Sequence, residues 1–257
     1  MSSRRATLLD EMGLGPVWRL RAAPAVGAIA TEAPPVAREA APPAIATTSR
    51  PAPEPDVTER SARIAAMDWS ALRSSIAECT ACGLCRSRTN VVPGVGDERA
   101  DWMLVGEAPG AEEDARGEPF VGQAGRLLDN MLAAIGLKRG ENVYIANVLK
   151  CRPPGNRNPE PFEVSQCSPF LRRQIELVQP KLVVAMGRFA AQTLLATEAS
   201  IASLRGRLHR YHGVPCVVTY HPAYLLRNLP DKAKAWEDLC FARATLRDLT
   251  RSGAPSS

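Results

Sequence analysis

Short apolar runs alternate with amphipathic stretches between residues 61 and 250. Apolar runs of this length are typical of strands buried on both faces, and apolar residues at helical spacing are typical of helices that cover a sheet. Four runs predict strands, at 102–105, 143–149, 181–186 and 216–220. Helical spacing predicts helices at 64–76, 123–136, 188–196 and 236–249, and Ser168-Pro169 predicts the start of another.

This alternation of strands and helices predicts an α/β fold with three layers, in which helices cover both faces of a mostly parallel, four-stranded central sheet. Ligands of such sheets bind beyond the carboxyl ends of the strands. Gly106 follows the first strand and His221 follows the last. Both should therefore lie at the ligand-binding edge.

The segment before this globular domain (61–250) differs in composition. Residues 22–57 contain 12 alanines, 8 prolines and no aromatic residue. Such a segment cannot bury enough apolar surface to offset its ordering entropy, so 22–60 is predicted to be a disordered linker. It separates a head at residues 1–21 from the domain, and 251–257 is predicted to be a disordered tail.

The charge and hydropathy of the chain limit the cellular compartments and partners that we expect for it. Lys and Arg exceed Asp and Glu by 32 to 27, a net charge of +5 that permits nucleic-acid binding without indicating it. No stretch has the length of a membrane span, and no apolar run follows Arg4 and Arg5 as in a secretory signal. We expect a cytosolic protein whose cysteines stay reduced and serve as metal ligands or buried thiols.

Four of the seven cysteines suggest one metal centre: Cys79, Cys82, Cys151 and Cys167. The first two form a Cys-x2-Cys turn, and four thiolates suit zinc or an iron–sulfur cluster. Cys151 could instead be a small core residue, although a polar loop follows it. Cys85 could compete as a ligand, whereas Cys216 and Cys240 lie in apolar contexts typical of the core.

Polar and aromatic residues of the loops suggest a pocket for a planar ring. The turn Gly106–Gly110 lets backbone amides approach a ligand, and Phe120 can stack on a ring. Asn147 ends a strand, where its amide can read a pyrimidine edge. His221 precedes a proline, which favours an extended backbone and can present the imidazole to developing negative charge. Each could instead be an ordinary loop or core residue.

Two further loops are candidates for DNA contact. Leu225, Leu226 and Arg227 place apolar side chains beside a cation, a combination that can wedge into a base stack while it holds a phosphate. The same residues could simply form the first turn of a helix. The basic loop after Cys151 offers Arg152 and Asn156.

Taken together, these motifs resemble the family 4 uracil-DNA glycosylases, the iron–sulfur branch of their superfamily. The resemblance covers about residues 70–250 and includes the four cysteines, the Gly-Glu-x-Pro-Gly turn, the Pro-Phe-Val-Gly loop, Lys-Cys-Arg-Pro-Pro and His-Pro-Ala-Tyr-Leu-Leu-Arg. It implies a 4Fe–4S cluster on Cys79, Cys82, Cys151 and Cys167. It further implies that Glu107 and Ala108 line a uracil pocket, in which Phe120 stacks on the base and Asn147 forms hydrogen bonds to its edge. His221 would stabilise the departing uracil anion. Leu225 or Leu226 would fill the gap that the flipped base leaves in the DNA.

The resemblance does not identify the residue that orients the attacking water molecule. Better-known superfamily members have Asp or Asn at the third position of the turn, where this chain has Ala108. Glu107 or Glu113 is therefore the candidate for orienting water, and the alternative is a mechanism that relies on stabilisation of the leaving group. We expect a uracil-DNA glycosylase that leaves an abasic site, and the alternative is a non-catalytic, cluster-bearing DNA-binding protein of the same fold.

The head resembles, over a short stretch, the N-terminus of the psi subunit of the bacterial DNA polymerase III clamp loader. Trp18 carries the match, with Leu14 and Leu20 beside it. The alternative is a disordered tail. The expected partners are thus uracil-containing DNA and possible clamp-loader subunits, for a monomer in the bacterial cytosol or nucleoid and not at a membrane.

Overall fold

The computed structural model describes residues 57–252. The predictions for the head, most of the linker and the tail lie outside these residues. The first described helix, α1 (Val57–Ala65), begins four residues before the predicted domain boundary at residue 61. Helix α2 (Trp69–Ala77) follows, capped by Asp68, whose carboxylate accepts from the Ala71 amide.

The six strands of the described part form one sheet, in the order β1-β3-β2-β4-β6-β5. Their bounds are β1 Val95–Gly96, β2 Trp102–Gly106, β3 Val143–Asn147, β4 Leu182–Met186, β5 His209–Tyr211 and β6 Val214–Thr219. The central strands β3, β2, β4 and β6 run parallel, as predicted. The predicted number of four was wrong, because β1 and β5 pair antiparallel at the two edges. Strand β1 is too short for an apolar run to reveal it, whereas β5 lies in the segment 207–211, which the sequence allows to flank a turn at His212-Gly213 together with the last predicted strand.

Helices cover both faces of the sheet and make the three predicted layers. They are α3 (Ala111–Arg116), α4 (Gln123–Ala134), α5 (Pro161–Val178), α6 (Arg188–Leu195), α7 (Ile201–Leu204), α8 (Pro222–Leu225) and α9 (Asp231–Ser252). Alternate strand residues such as Val105 pack with α5 and α6 on one face. Their neighbours, such as Leu104, pack with α4 and α9 on the other. Every residue of β2, β3 and β4 is buried, because both faces are covered.

One predicted helix start was wrong. Helix α5 begins at Pro161, and Pro169 lies inside it. The rule that proline favours the first helical position does hold for this helix, but it applies to Pro161, and the prediction applied it to Pro169. Pro169 cannot donate to the carbonyl four residues earlier, and the Ser168 hydroxyl donates to the Val164 carbonyl at 2.6 Å on the same turn.

Among the described residues, no helix combines the length and apolarity that crossing a membrane requires.

Candidate active site and cysteine cluster

A cavity of about 700 Å³ opens at the carboxyl ends of the parallel strands. Its lining includes seven predicted residues: Glu107, Ala108, Glu113, Phe120, Asn147, Asn156 and His221. Arg227 stands at its edge as well. The edge predicted from strand order is therefore where these side chains meet.

Gly106, the last residue of β2, lies next to two residues of the cavity wall, Asn147 and Phe120. Gly106 pairs with Asn147 at the end of β3. A Cβ atom at position 106 would lie 2.4 Å from Oδ1 of Asn147 and 2.6 Å from the Phe120 ring, so only glycine lets both approach. The Oδ1 of Asn147 is buried and is the one buried side-chain polar atom without a hydrogen-bond partner in the described part of the chain. A buried acceptor of this kind is costly unless a ligand satisfies it.

Phe120 is buried, and its ring lies beside the imidazole of His221. Its backbone has a φ of 55°, in the left-handed region that bulky residues rarely adopt. Strain of this kind concentrates at binding sites and costs roughly 1–3 kcal/mol, so the surrounding loop must hold it.

His221 caps the short helix α8 from an extended backbone, as the following proline requires. Its Nδ1 accepts a hydrogen bond from the Ala223 amide at 3.1 Å. Desolvation lowers the pKa of His221 to about 4, so the imidazole is neutral at neutral pH. Because Nδ1 is an acceptor, the proton is on Nε2, which is therefore a donor.

Two glutamates were candidates for orienting water, Glu107 and Glu113, and their surroundings in the structure differ. Burial raises the pKa of Glu107 to about 7, although the charge of Arg188 acts in the opposite direction. Glu113 instead braces two loops: its Oε2 accepts from the Gly110 amide at 3.1 Å, and its Oε1 accepts from the Val121 and Gly122 amides at 3.1 and 3.3 Å. Glu107 is thus the carboxylate suited to proton transfer near neutral pH.

The leucine–arginine loop divides into a buried and an exposed part. Leu225 is only 1% exposed and belongs to the core, so the prediction that it contacts DNA was wrong. Leu226 is 38% exposed, and Arg227 next to it is also exposed. Helix α8 turns Leu225 inwards, which local spacing did not reveal.

The basic loop after Cys151 faces the same cavity. Pro153, Asn156 and Arg157 line it, and Arg152 Nε donates to Asn156 Oδ1 at 2.7 Å. Arg157 forms a bidentate pair with Glu163 at the start of α5, at 2.9 and 2.6 Å. This pair holds the loop against the helix.

Five cysteines line a second, smaller cavity: Cys79, Cys82, Cys85, Cys151 and Cys167. Three sulfurs accept N–H donors, from Arg60 to Cys79 at 3.6 Å, from Arg88 to Cys151 at 3.1 Å and from the Lys150 amide to Cys167 at 3.3 Å. Burial raises the pKa of Cys167 to about 12. Cys216 is buried in the sheet, as expected of a core thiol. No three His, Cys, Asp or Glu side chains within residues 57–252 converge on a point suited to one metal ion.

Known proteins are similar to this chain in sequence. The family model described as the uracil DNA glycosylase superfamily matches residues 93–240. A type-4 uracil-DNA glycosylase of Archaeoglobus fulgidus is 50% identical over 159 residues, which cover 59% of this chain and 79% of that protein. One of Thermotoga maritima is 46% identical over 176 residues, covering 67% of this chain and 91% of that protein. This chain belongs to the type-4 uracil-DNA glycosylases.

The family assignment made from the motifs is thereby confirmed. The likeness also extends to the type-5 enzymes, since one from Pyrobaculum aerophilum is 37% identical over 152 residues, 52% of this chain and 66% of that protein. None of these comparisons tests the resemblance of the head to the psi subunit.

Sequence reasoning missed several pocket residues of this type-4 glycosylase, and three of them are large polar or aromatic side chains near His221. Arg188 begins α6 directly after β4, and Tyr220 and Tyr224 stack at 5.2 Å on either side of the His221-Pro222 step. All three line the cavity. Arg188 could have been found from the rule that led to Gly106, because Gly187 also follows the carboxyl end of a parallel strand.

Proposed function

We infer that this protein is a uracil-DNA glycosylase, which hydrolyses the bond between uracil and deoxyribose and leaves an abasic site. The observation that carries the inference is the buried, unpartnered Oδ1 of Asn147 beside the Phe120 ring. The N3–H of uracil is a donor that would satisfy this oxygen, while the base stacks on Phe120. Cytosine presents an acceptor at that position, so the same geometry disfavours it.

Bond cleavage places negative charge on the departing uracil. The Nε2–H of neutral His221 is a donor at the pocket wall, and a hydrogen bond to the uracil O2 strengthens as that charge develops. The imidazole stays fixed, because its Nδ1 is held by the Ala223 amide. We therefore propose His221 as the group that stabilises the leaving base.

Water must then add to C1′ of the sugar and lose a proton. Glu107 lines the cavity, and its pKa of about 7 suits a carboxylate that accepts that proton near neutral pH. The products are free uracil and DNA with an abasic sugar. Ala108 contributes backbone to this wall and has no group that could take the role.

DNA would be held at the rim of the cavity. Arg152, Arg188 and Arg227 provide cations for phosphates, and Asn156 provides an amide. The exposed Leu226 would enter the base stack once uracil has left it. Uracil would have to flip out of the base stack to enter the cavity, because its glycosidic bond cannot be reached inside a duplex.

We propose further that Cys79, Cys82, Cys151 and Cys167 hold a 4Fe–4S cluster. The residues fit: thiols from three chain segments share one cavity, and Arg60, Arg88 and Lys150 supply N–H donors to their sulfurs. Such bonds and cations offset the charge of cluster thiolates. A bound cluster would tie residues 79–88 and the loop after Cys151 to α5, which supports the pocket.

The function is tested with a labelled oligonucleotide that contains one uracil, followed by alkaline cleavage at abasic sites. Strand cleavage that depends on the protein and on uracil supports the proposal, and thymine or cytosine at the same position should give none. Asn147→Ala should lower the rate by on the order of 100-fold, whereas Asn130→Ala, on the exposed face of α4, should not change it. DNA binding without release of uracil would favour the non-catalytic alternative.

We also propose that residues 1–21 join the enzyme to the clamp loader and that the enzyme is a monomer that works at the nucleoid. Support comes from Trp18 with leucines on both sides, set apart from the domain by an Ala/Pro-rich segment. Deleting 1–21 should leave excision from a short oligonucleotide unchanged and abolish binding to purified clamp loader. Equal binding by both forms, or none by either, would overturn this proposal.

A further inference from the structure

Two charged side chains, Arg139 and Glu113, form hydrogen bonds to the backbone of the strained loop that carries Phe120. Phe120 is one of six non-glycine residues with positive φ within residues 57–252. A loop peptide with this strain relaxes unless the surrounding contacts hold it. The contacts that hold it therefore control where the ring lies.

Arg139, just after α4, makes the first of these grips. Its Nη1 donates to the Pro119 carbonyl at 2.9 Å, and its Nη2 donates to the Phe120 carbonyl at 2.8 Å. Its Nε donates to Asp129 at 2.9 Å, which fixes the plane of the guanidinium. The guanidinium holds these two donors in a fixed plane, whereas a lysine ammonium has no such planar pair.

Glu113 makes the second grip, because its carboxylate accepts from the amides of Val121 and Gly122, the next two residues of the loop. Helix α4 closes the space beneath: a Cβ atom at Gly125 would lie 1.8 Å from the Phe120 carbonyl oxygen. The peptide bond between Phe120 and Val121 is thus held on three sides. Arg139 binds its carbonyl group, Glu113 binds its amide group, and the backbone of α4 at Gly125 packs against it.

We propose that Arg139 is a positioning residue for uracil excision, which holds Phe120 in the orientation that stacks on the flipped base. This rests on the proposed function. Arg139 itself is not part of the cavity lining within the described residues, and its side chain is 20% exposed. Its effect on the reaction must therefore pass through Phe120 and the loop.

The proposal predicts a specific kinetic pattern. Arg139→Gln removes the fork and should lower kcat on the order of 10-fold to 100-fold, the effect expected from a displacement of about 1 Å. The KM for DNA should change little, because Arg139 does not reach the rim. Arg139→Lys keeps the charge but not the fork and should restore little of the loss. Lys138→Gln is the matched control, since the Lys138 side chain is 73% exposed and its salt bridge is to Glu141, away from the Phe120 loop.

A double-mutant cycle with Phe120 separates positioning from general damage. If Arg139 acts through the ring, Arg139→Gln should cost less than about twofold in the Phe120→Ala background, because contacting residues that act as a unit are not additive. Equal losses in both backgrounds would overturn the proposal, and so would full recovery with Arg139→Lys. If Arg139→Gln does not fold, the cycle is run with Arg139→Lys, which must then show the same non-additivity.

A second readout does not depend on catalysis. With 4-fluorophenylalanine incorporated at position 120 alone, the unaltered chain should give one narrow ¹⁹F resonance. Arg139→Gln should shift or broaden it, and Lys138→Gln should not. An unchanged resonance in Arg139→Gln would overturn the proposal that Arg139 positions Phe120. A changed resonance in a protein that releases no uracil would support this positioning and would refute the proposed function.

Discussion

The rings of Phe120 and His221 lie 5.4 Å apart between centroids, with their planes inclined by 30°. The stacking group and the group proposed to receive the leaving charge therefore share one wall of the cavity. Both side chains line the same cavity, so one position of a bound base could serve the roles proposed for both. Binding and bond cleavage can thus use the same position of the base, which is the arrangement that catalysis by differential binding requires.

His221→Ala should lower the single-turnover rate by on the order of 100- to 1,000-fold, because the lost hydrogen bond forms to charge that develops in the transition state. Affinity for uracil-containing DNA, measured by fluorescence anisotropy, should stay within a few-fold. His212→Asn, at an exposed turn with a φ of 46° that asparagine tolerates, is the control and should keep full activity. A parallel loss of binding and turnover would contradict the role of His221.

Glu107 should make both stability and rate depend on pH. Its pKa of about 7 in the folded protein exceeds the ordinary value of 4.5, so at a pH between these two values the folded state binds a proton that the unfolded state has lost. The stabilisation is complete below the lower value and is lost as the pH rises through about 7. Glu107→Gln should therefore raise Tm relative to the unaltered protein more at pH 8 than at pH 5.

The same residue should set the pH dependence of excision. If Glu107 accepts the proton of water, kcat should rise through an inflection near pH 7 and become flat in Glu107→Gln, at a much lower value. An unchanged inflection in this variant would assign the titration to another group.

Gly106→Ala should abolish excision while the protein still folds. The new methyl group would lie within 2.6 Å of both the Asn147 amide oxygen and the Phe120 ring, so these two cavity residues could not keep their positions. Thermal melting shows whether the variant folds, and uracil release measured on the folded variant checks the prediction. Normal uracil release by folded Gly106→Ala would contradict the role of this glycine.

The neighbouring leucines should give opposite phenotypes. Leu225→Ala should lower the free energy of unfolding by about 2–5 kcal/mol, as for other buried leucines. Leu226→Ala should leave stability unchanged and slow excision from duplex DNA by roughly 10-fold relative to single strands, which need no wedge. Denaturant melts and rates on both substrates test this, and equal slowing on both substrates would exclude the wedge.

Cys151→Ser should remove the proposed cluster and destabilise the fold, because Cys151 lies where three segments meet. Protein purified without oxygen should contain about four irons per chain and be brown, and this variant should lose both. Cys240→Ser should keep them, since Cys240 lies on α9, away from the other thiols. Stoichiometric zinc without iron would refute the cluster.

The sequence by itself determined the central sheet and most of the pocket. The runs at Trp102–Gly106 and Leu182–Met186 are apolar throughout because both faces of these strands are covered, and that requirement is local. Parallel strands bring their carboxyl ends together, so Gly106, Asn147 and His221 could be placed at one edge before any coordinates were known.

Only the tertiary structure decided the edge strands, the burial of Leu225 and the grip of Arg139 on the Phe120 loop. Strand β1 has two residues, too few to show a period. Leu225 and Leu226 are alike in sequence, and their difference arises from the turn of α8 against the core. Arg139 meets carbonyls 19 and 20 residues away, a contact made by backbone groups that every sequence contains. Periodicity reports which face of a segment is buried, whereas such pairings depend on where the folded chain brings its segments together.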